Sequence, residues 1–304
     1  MSAVAPVAIG IDIGATKIAV GLISPSGAIT HRKETPSKGN SSEGLATDLA
    51  NLIREVVHGE EISSVGIGSA GPIDVQRGTI SPVNIPIWRD FPVVELVRDI
   101  TKIKKVSLVG DVVALVYGEF KLGAARNKLN ILGLVVSTGI GGGLILNGEV
   151  YNGSTWNGGY IGHTLIGGSD KKCFCGGVGC IEAIASGPSM TKWAKDNGLP
   201  ISKDAKFEDV AKAALEGNAI AIEAIRLGAQ AIGIAAANAS AFLDLDAVIL
   251  GGGVSESGEI FWKPLQEGFA QSKAHNKFLK VQEISSCDLG KDAGLIGAAL
   301  HGMI

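Results

Sequence analysis

Cys173, Cys175 and Cys180, three of the chain's four cysteines, fall within eight positions, and His163 lies ten residues before the first of them. Cys173 and Cys175 are too close in sequence to form an easy disulfide with each other, and the loop around them is polar and rich in glycine. Three thiolates and one imidazole make a closed tetrahedral shell, the usual arrangement of structural zinc. Such a shell leaves no position for a water nucleophile, so the metal would be architectural. Free loop thiols are the alternative. Cys287 stands alone and reads as a buried side chain.

A second group that could do chemistry is Asp12-Ile13-Gly14-Ala15-Thr16-Lys17. A tight β-hairpin there lets backbone N–H groups and the Thr16 hydroxyl approach phosphate oxygens, because Gly14 puts no side chain in the way. Lys17 could add positive charge. Asp12 suits the neighbourhood of a polyanion when Mg²⁺ or water stands between them. The alternative is an ordinary hairpin in which Asp12 and Thr16 satisfy the turn.

Ser137-Thr138-Gly139-Ile140-Gly141-Gly142-Gly143 is a third group, following a strand-like run. A dinucleotide fingerprint would need its last glycine to open a helix. The residues that follow, LILNG at 144–148, read as a strand, which favours a second phosphate-binding hairpin. No GxxxxGK[ST] run occurs, which excludes the P-loop class. Gly251-Gly252-Gly253, after VIL, could let an adenine or ribose lie on bare backbone, or could simply make a strand-to-helix turn. Asp111 directly follows the strand-like VSLVG. It reads equally well as a carboxylate aimed into a cleft or as the N-cap of the next helix.

The elements that must position these groups are legible from apolar periodicity. Strands are expected at 7–13, 18–24, near 28–35, 64–70, 106–110, 131–137, 144–148, 246–254 and near 280–285. Helices are expected at 41–58, from 111 to about 122, near 187–196, 207–216, 219–243 and 259–274, and from 292 onward. Both halves show strand, glycine-containing turn, strand, an internal repeat of architecture more than of identity. A domain boundary is expected near 111–125, with a small domain of 1–112 plus 291–304 and a large one of 113–290 that carries the cysteine loop.

Composition narrows the classes. Of 304 residues 43 are glycine, twice the usual ~7%. Charged residues are 19% and hydrophobic ones 46%, enough for buried cores and unlike a disordered chain. Lys and Arg number 27 against 30 Asp and Glu, a net charge of −3, without the basic excess of a nucleic-acid or membrane-surface binder. No Lys or Arg precedes Lys17, so a basic leader is not expected. The apolar stretch 227–243 is interrupted by Gln230, Asn238 and Ser240 and is expected to be a buried helix. A cytoplasmic α/β protein is the expectation.

These pieces together resemble the ROK family of sugar kinases and related repressors, over nearly the whole chain. DIGATK (12–17) and VSTGIGGGLILNG (136–148) are similar to the family's two phosphate motifs. GIGSAGPID (66–74) is similar to its sugar-side loop, and GYIGH (159–163) with CFCGGVGCIE (173–182) to its zinc and sugar signature. DLDAVILGGGV (244–254) is similar to the adenosine-side strand and KDAGLIGAAL (291–300) to the final helix. The resemblance implies an actin-like, ribonuclease-H-like pair of α/β domains, a two-domain ATPase fold with ATP in the interdomain cleft.

The implied activity is transfer of the γ-phosphate of ATP to a hexose, at the 6-hydroxyl, with Asp111 as base. ATP with Mg²⁺ and structural zinc are the implied cofactors. Asp12, Gly14, Thr16, Lys17, Thr138, Gly139, Gly141, Gly252 and Gly253 carry over as nucleotide and phosphate contacts. Gly71 through its backbone, Asn84, Asp111, His163 and Glu182 carry over as sugar contacts. His163 would also ligate zinc with Cys173, Cys175 and Cys180. A homodimer is implied by family alone; neither a nucleic-acid nor a membrane partner is expected.

Two positions depart from the family's kinase pattern: Gly110 stands where Asn is usual, and Tyr160 where Glu is usual. Some N-acylmannosamine kinase-like members also lack that Glu and share the EAIASG stretch of 182–187. The expected substrate is therefore a hexose other than glucose, N-acylated or otherwise modified at C2. A sugar sensor of weak activity and a kinase using polyphosphate are competing readings. A DNA-binding repressor is disfavoured, because the first phosphate strand begins by residue 7.

Overall fold

The computed structural model describes residues 7–57, 59–167, 169–273, 277–281 and 283–304. The first six residues, part of the stretch before Lys17 that lacks Lys and Arg, lie outside them. So do residues 58, 274 and 282, which fall in two expected helices and one expected strand. By contacts the chain divides into two compact units, Met1–Asn127 with Val150–Gly158 and Asp288–Ile304, and Lys128–Glu149 with Gly159–Cys287.

The first unit opens with β1 (Val7–Ile13), β2 (Lys17–Ile23) and β3 (Ile29–Pro36), joined as antiparallel hairpins. Next comes α1 (Ser42–Val56), whose N-cap Ser41 accepts the Gly44 N–H and whose Leu45, Leu49, Leu52, Ile53 and Val56 form the buried stripe. Then follow β4 (Ile62–Ser69), the short β5 (Ile73–Asp74) and β6 (Thr79–Ile80), α2 (Val93–Thr101), β7 (Val106–Gly110) and α3 (Asp111–Leu122). The main sheet runs β3-β2-β1-β4-β7, with β1, β4 and β7 parallel. Strands β1 and β4 are buried along most of their length because helices cover both faces of a parallel pair.

The second unit repeats this plan. It holds β8 (Ile131–Val136), β9 (Ile140–Leu146) and the start of β10 (Glu149–Val150), then the cysteine loop. After the loop come α4 (Glu182–Ala185), α5 (Gly187–Asp196), α6 (Phe207–Leu215), α7 (Ala219–Leu243), β11 (Ala247–Gly251), α8 (Glu259–Lys273) and β12 (Ile284–Ser286). The sheet order is β10-β9-β8-β11-β12, with β8–β9 antiparallel and β8, β11 and β12 parallel. Position for position this is the order of the first sheet. Helix α7 is long and apolar enough to cross a membrane by length and composition, but here it is a core helix packed on α8.

The last helix, α9 (Ala293–Met303), returns to the first unit and lies across its sheet and α3. The backbones nearly touch: a Cβ on Gly118 would lie 2.9 Å from the Ala293 carbonyl oxygen, and one on Gly297 would collide with the Ala114 carbonyl. This contact keeps the whole of α3 in the first unit; the expected break at 112/113 would fall inside that helix.

Two further differences have local causes. The second glycine-rich turn is shorter than expected: Ser137 donates its N–H to the Gly139 carbonyl at 2.9 Å, and β9 already begins at Ile140. Gly141–Gly143 lie inside the strand, because the Gly159 backbone crosses where a Cβ on Gly142 would stand. Strand β11 ends at Gly251, since Gly252 turns the chain with φ +98°.

Candidate active site

In the first unit the chain reaches the carboxyl ends of three adjacent parallel strands at Asp12-Ile13 (β1), Ser69–Gly71 (β4) and Gly110-Asp111 (β7). That end of an open α/β sheet is where ligands gather. The β1–β2 turn is closed by the Gly14 N–H on the Lys17 carbonyl at 3.0 Å. Ser37, fully buried and missed by the sequence reading, straps it: its N–H donates to the Thr16 carbonyl and its Oγ to the Ala15 carbonyl. No protein atom approaches a Cβ on Gly14 closer than 3.4 Å. The side chain missing there keeps space open rather than relieving a clash. Thr16 is exposed beside that space. Lys17 pairs with Glu34 at 3.2 Å, and Glu34 also takes Arg32.

Asp12 and Asp111 are close enough to repel. Burial, then the Asp111 charge, push the Asp12 carboxyl up to about 7, against the smaller pull of Lys17 and Arg32. Asp12 faces the first turn of α9, where a Cβ on Gly294 would lie 3.2 Å from its Oδ2. Burial also raises Asp111, while the Val112 N–H donated to its Oδ1 at 2.8 Å acts the other way. The N-cap of α3 is Gly110, and Asp111 is the first helical residue, so the expected alternative of an Asp111 N-cap does not hold. A carboxylate with a raised pKa at a helix start is a better proton acceptor than a free one.

The sugar-side candidates of this unit lie in a turn system after β4. The Gly71 carbonyl accepts the Val83 N–H at 3.1 Å, so this loop is folded onto the Pro82–Ile85 turn that carries exposed Asn84. The Gly71-Pro72 peptide is cis. Gly110 has room for a side chain, the nearest atom to an added Cβ being a Val113 methyl at 3.6 Å.

In the second unit the β8–β9 turn exposes Ser137 and Thr138. Glu182, the first residue of α4, reaches this turn: its Oε2 accepts the Ile140 N–H at 2.8 Å and would stand 2.7 Å from a Cβ on Gly139. The structure thus brings Gly139 and Glu182 together, a link that sequence spacing could not reveal. Gly141 is half-buried in β9. Gly252 and Gly253 follow the carboxyl end of β11. A Cβ on Gly252 would collide with the Val136 backbone, while one on Gly253 would meet nothing within 4 Å.

The cysteine loop brings its four expected ligands together. Candidate ligand atoms of His163, Cys173, Cys175 and Cys180 all lie within 4.8 Å of one another. The Cys173 Sγ to His163 Nδ1 and Cys175 Sγ to Cys180 Sγ distances are both 3.7 Å. A tetrahedron of zinc–sulfur bonds of about 2.3 Å has edges of about 3.8 Å, so the donor set fits that ion. The Gly177 N–H on Cys175 Sγ at 3.5 Å favours a thiolate there. His163 keeps Nε2 for another partner, and the Tyr160 ring stacks on it at 5.3 Å between centroids. Cys287 is half-buried rather than buried.

Two α/β units with the same strand order, each with ligand-accessible turns at its parallel-strand ends, make the actin-like two-domain fold. The chain belongs to the ROK family, whose model matches residues 8–301. Among its relatives, a glucokinase from Thermotoga maritima is 34% identical over 96% of this chain and 95% of its own. An N-acetylmannosamine kinase from Yersinia pestis is 32% identical over 96% and 97%. The solved structure of a ROK family glucokinase from Streptomyces griseus, in complex with glucose and AMPPNP, has a TM-score of 0.83 at 28% identity, covering 96% of this chain and 98% of that one.

Proposed function

We propose that the protein is an ATP-dependent hexose kinase, a phosphotransferase with an alcohol acceptor. The observation that carries the reading is Asp111: a half-buried carboxylate at the carboxyl end of β7, its pKa raised by burial. Asp111 takes the proton of the attacking sugar hydroxyl, the 6-hydroxyl of the hexose. The hydroxyl oxygen forms its bond to the γ-phosphorus as the bond from that phosphorus to the β,γ-bridging oxygen breaks, and ADP leaves with the electron pair. Thr16 and the amides of the Gly14 turn hold phosphate oxygens, as do Thr138 and the amides of Gly139 and Gly141. Gly252 and Gly253 offer bare backbone to the nucleoside. Most of the rate gain is then alignment and charge stabilisation.

The acidic pair Asp12 and Asp111 suits a divalent cation, and Mg²⁺ arriving with ATP would supply neutralisation of phosphate charge. Asn84, the Gly71 backbone, Tyr160, His163 and Glu182 orient the sugar. Glu182 does so through Oε1, since Oε2 is committed to the Ile140 N–H. Zinc in the Cys₃His shell is structural: it fixes the His163 ring so that Nε2 is a rigid partner for a sugar hydroxyl. A thiolate site suits a reducing cytoplasm. A homodimer is part of the same reading; light scattering tests it.

ADP release measured with Mg-ATP across glucose, mannose, N-acetylmannosamine, N-acetylglucosamine, allose and fructose tests the function. Turnover with at least one hexose is expected. No ADP above the sugar-free blank with any of them overturns the reading.

A further inference from the structure

The turn between β1 and β2 is two residues long. Gly14 stands opposite Lys17 and donates its N–H to the Lys17 carbonyl, and Ala15 and Thr16 make the bend. Hairpins of this length favour the primed turns, which need positive φ at the first bend residue or at both. None of residues 14–17 has positive φ. The bend therefore lacks the backbone twist that suits so short a hairpin, and a group outside the hairpin holds it.

That group is Ser37, the residue after β3. Along the β2–β3 ladder Lys17 stands opposite Pro36 and Ile18 opposite Thr35, so the next pair in register is Thr16 and Ser37. A hydrogen-bonded antiparallel pair exchanges two N–H···O bonds. Here one is made, from the Ser37 N–H to the Thr16 carbonyl at 3.0 Å. The other is not, and the Thr16 N–H has no acceptor among the described residues. Instead the Ser37 Oγ donates to the Ala15 carbonyl at 2.8 Å. The Ala15 carbonyl and the Thr16 N–H belong to one planar trans peptide, so they point in opposite directions. Drawing the carbonyl toward Ser37 turns the Thr16 N–H away from β3. Ser37 is only 1% exposed, so little water competes for its hydroxyl. Thr16 is exposed, and a Cβ on Gly14 would meet nothing closer than 3.4 Å. An unpaired amide and an exposed hydroxyl thus share one residue beside open space, an arrangement that suits an anionic oxygen.

We propose that Ser37 is a positioning residue for phosphotransfer: its hydroxyl turns the Ala15–Thr16 peptide so that the Thr16 N–H donates to a phosphate oxygen of ATP. This rests on the hexose kinase reading, which gives the bend a polyphosphate to hold. Ser37 is itself buried and acts through the peptide it turns. The position needs a donor because its acceptor is a carbonyl, and alanine there would leave that carbonyl without its partner.

Steady-state kinetics of Ser37→Ala, varied in ATP and in a hexose that the wild type uses, test the role. The KM for ATP is expected to rise about tenfold while the KM for the hexose stays within about twofold, because only a phosphate contact is lost. Loss of folded protein would lower kcat and leave both KM values alone. A wild-type KM for ATP overturns the proposal, and so does an equal rise in both KM values.

Should that variant not fold, exchange of backbone amides with solvent decides, read by NMR on the intact wild type with and without Mg-AMPPNP. The Thr16 amide is expected to exchange about tenfold or more slowly with the nucleotide bound, while the Gly14 amide, already bonded to the Lys17 carbonyl, stays within about twofold. A Thr16 amide that does not respond, in a protein that releases ADP with a hexose, overturns the proposal and leaves the kinase reading standing. A protein that releases ADP with no hexose loses both.

Discussion

Replacing Asp12 by Asn is expected to abolish phosphotransfer and yet stabilise the ligand-free protein at pH 8. In the folded chain burial and the Asp111 charge lift the Asp12 pKa from 3.8 to about 7. Between those values the folded state holds a proton that the unfolded state has released. Wild-type stability therefore declines as pH rises through this window and levels off above about 7. Three pKa units at 1.36 kcal/mol each set a ceiling of about 4 kcal/mol. Asp12 retains some contact with water, and screening there brings the expected gain down to about 1–2 kcal/mol. Asparagine keeps the shape and removes the charge. Urea denaturation in EDTA, without sugar or nucleotide, compares the two proteins at pH 3, below the unfolded-state pKa, and at pH 8. The variant should match wild type at the lower pH and exceed it by that margin at the higher, and other titrating groups cancel in the difference. A variant less stable at pH 8, or a gap independent of pH, refutes the reasoning: Asp12 would then be a supported structural carboxylate.

Asp111→Ala should lower kcat by about 10²–10⁴-fold, as loss of a general base does, with nucleotide affinity near wild type by calorimetry; retention of a tenth of kcat would leave Asp111 as the first residue of α3 and nothing more. Protein purified without added zinc should carry close to one equivalent by metal analysis, and Cys175→Ser should lower both zinc content and Tm. Gly110→Asn with Tyr160→Glu should raise kcat/KM for glucose relative to the native sugar, since an added Cβ at 110 meets nothing closer than 3.6 Å. A wild type that already uses glucose at micromolar KM, and loses that activity in the double variant, would contradict the expected preference.

The strands and hairpins were legible because glycine turns punctuate apolar runs, and α5 and α7 begin and end where periodicity put them. The architectural repeat was legible for the same reason and reappears as two sheets of one strand order. Helix α2 was missed: its buried Val93, Val94 and Val97 are β-branched residues, which do not announce a helix. The four metal-ligand candidates were readable from donor type and spacing. The bond from Glu182 to the Ile140 amide was not, since it joins the start of α4 to the start of β9, 42 residues apart. The packing of α3 on α9, far along the chain, through Gly118 and Gly297 has no local sequence signal.

The return of α9 to the first unit has a consequence for the order in which the protein comes into being. Strand β1 leaves the ribosome early, but the face it shares with β4 stays bare until α9 emerges: Gly10 and Gly66 of these strands are seats for the backbone of Leu295 and Ala298. The second unit, completed at Cys287, has all its strands and helices before that happens. Domains fold as units during synthesis at about 5–20 residues per second. The middle of this polypeptide therefore matures while its beginning waits, and a stop codon placed just before α9 would spoil the half of the molecule made first and spare the half made last.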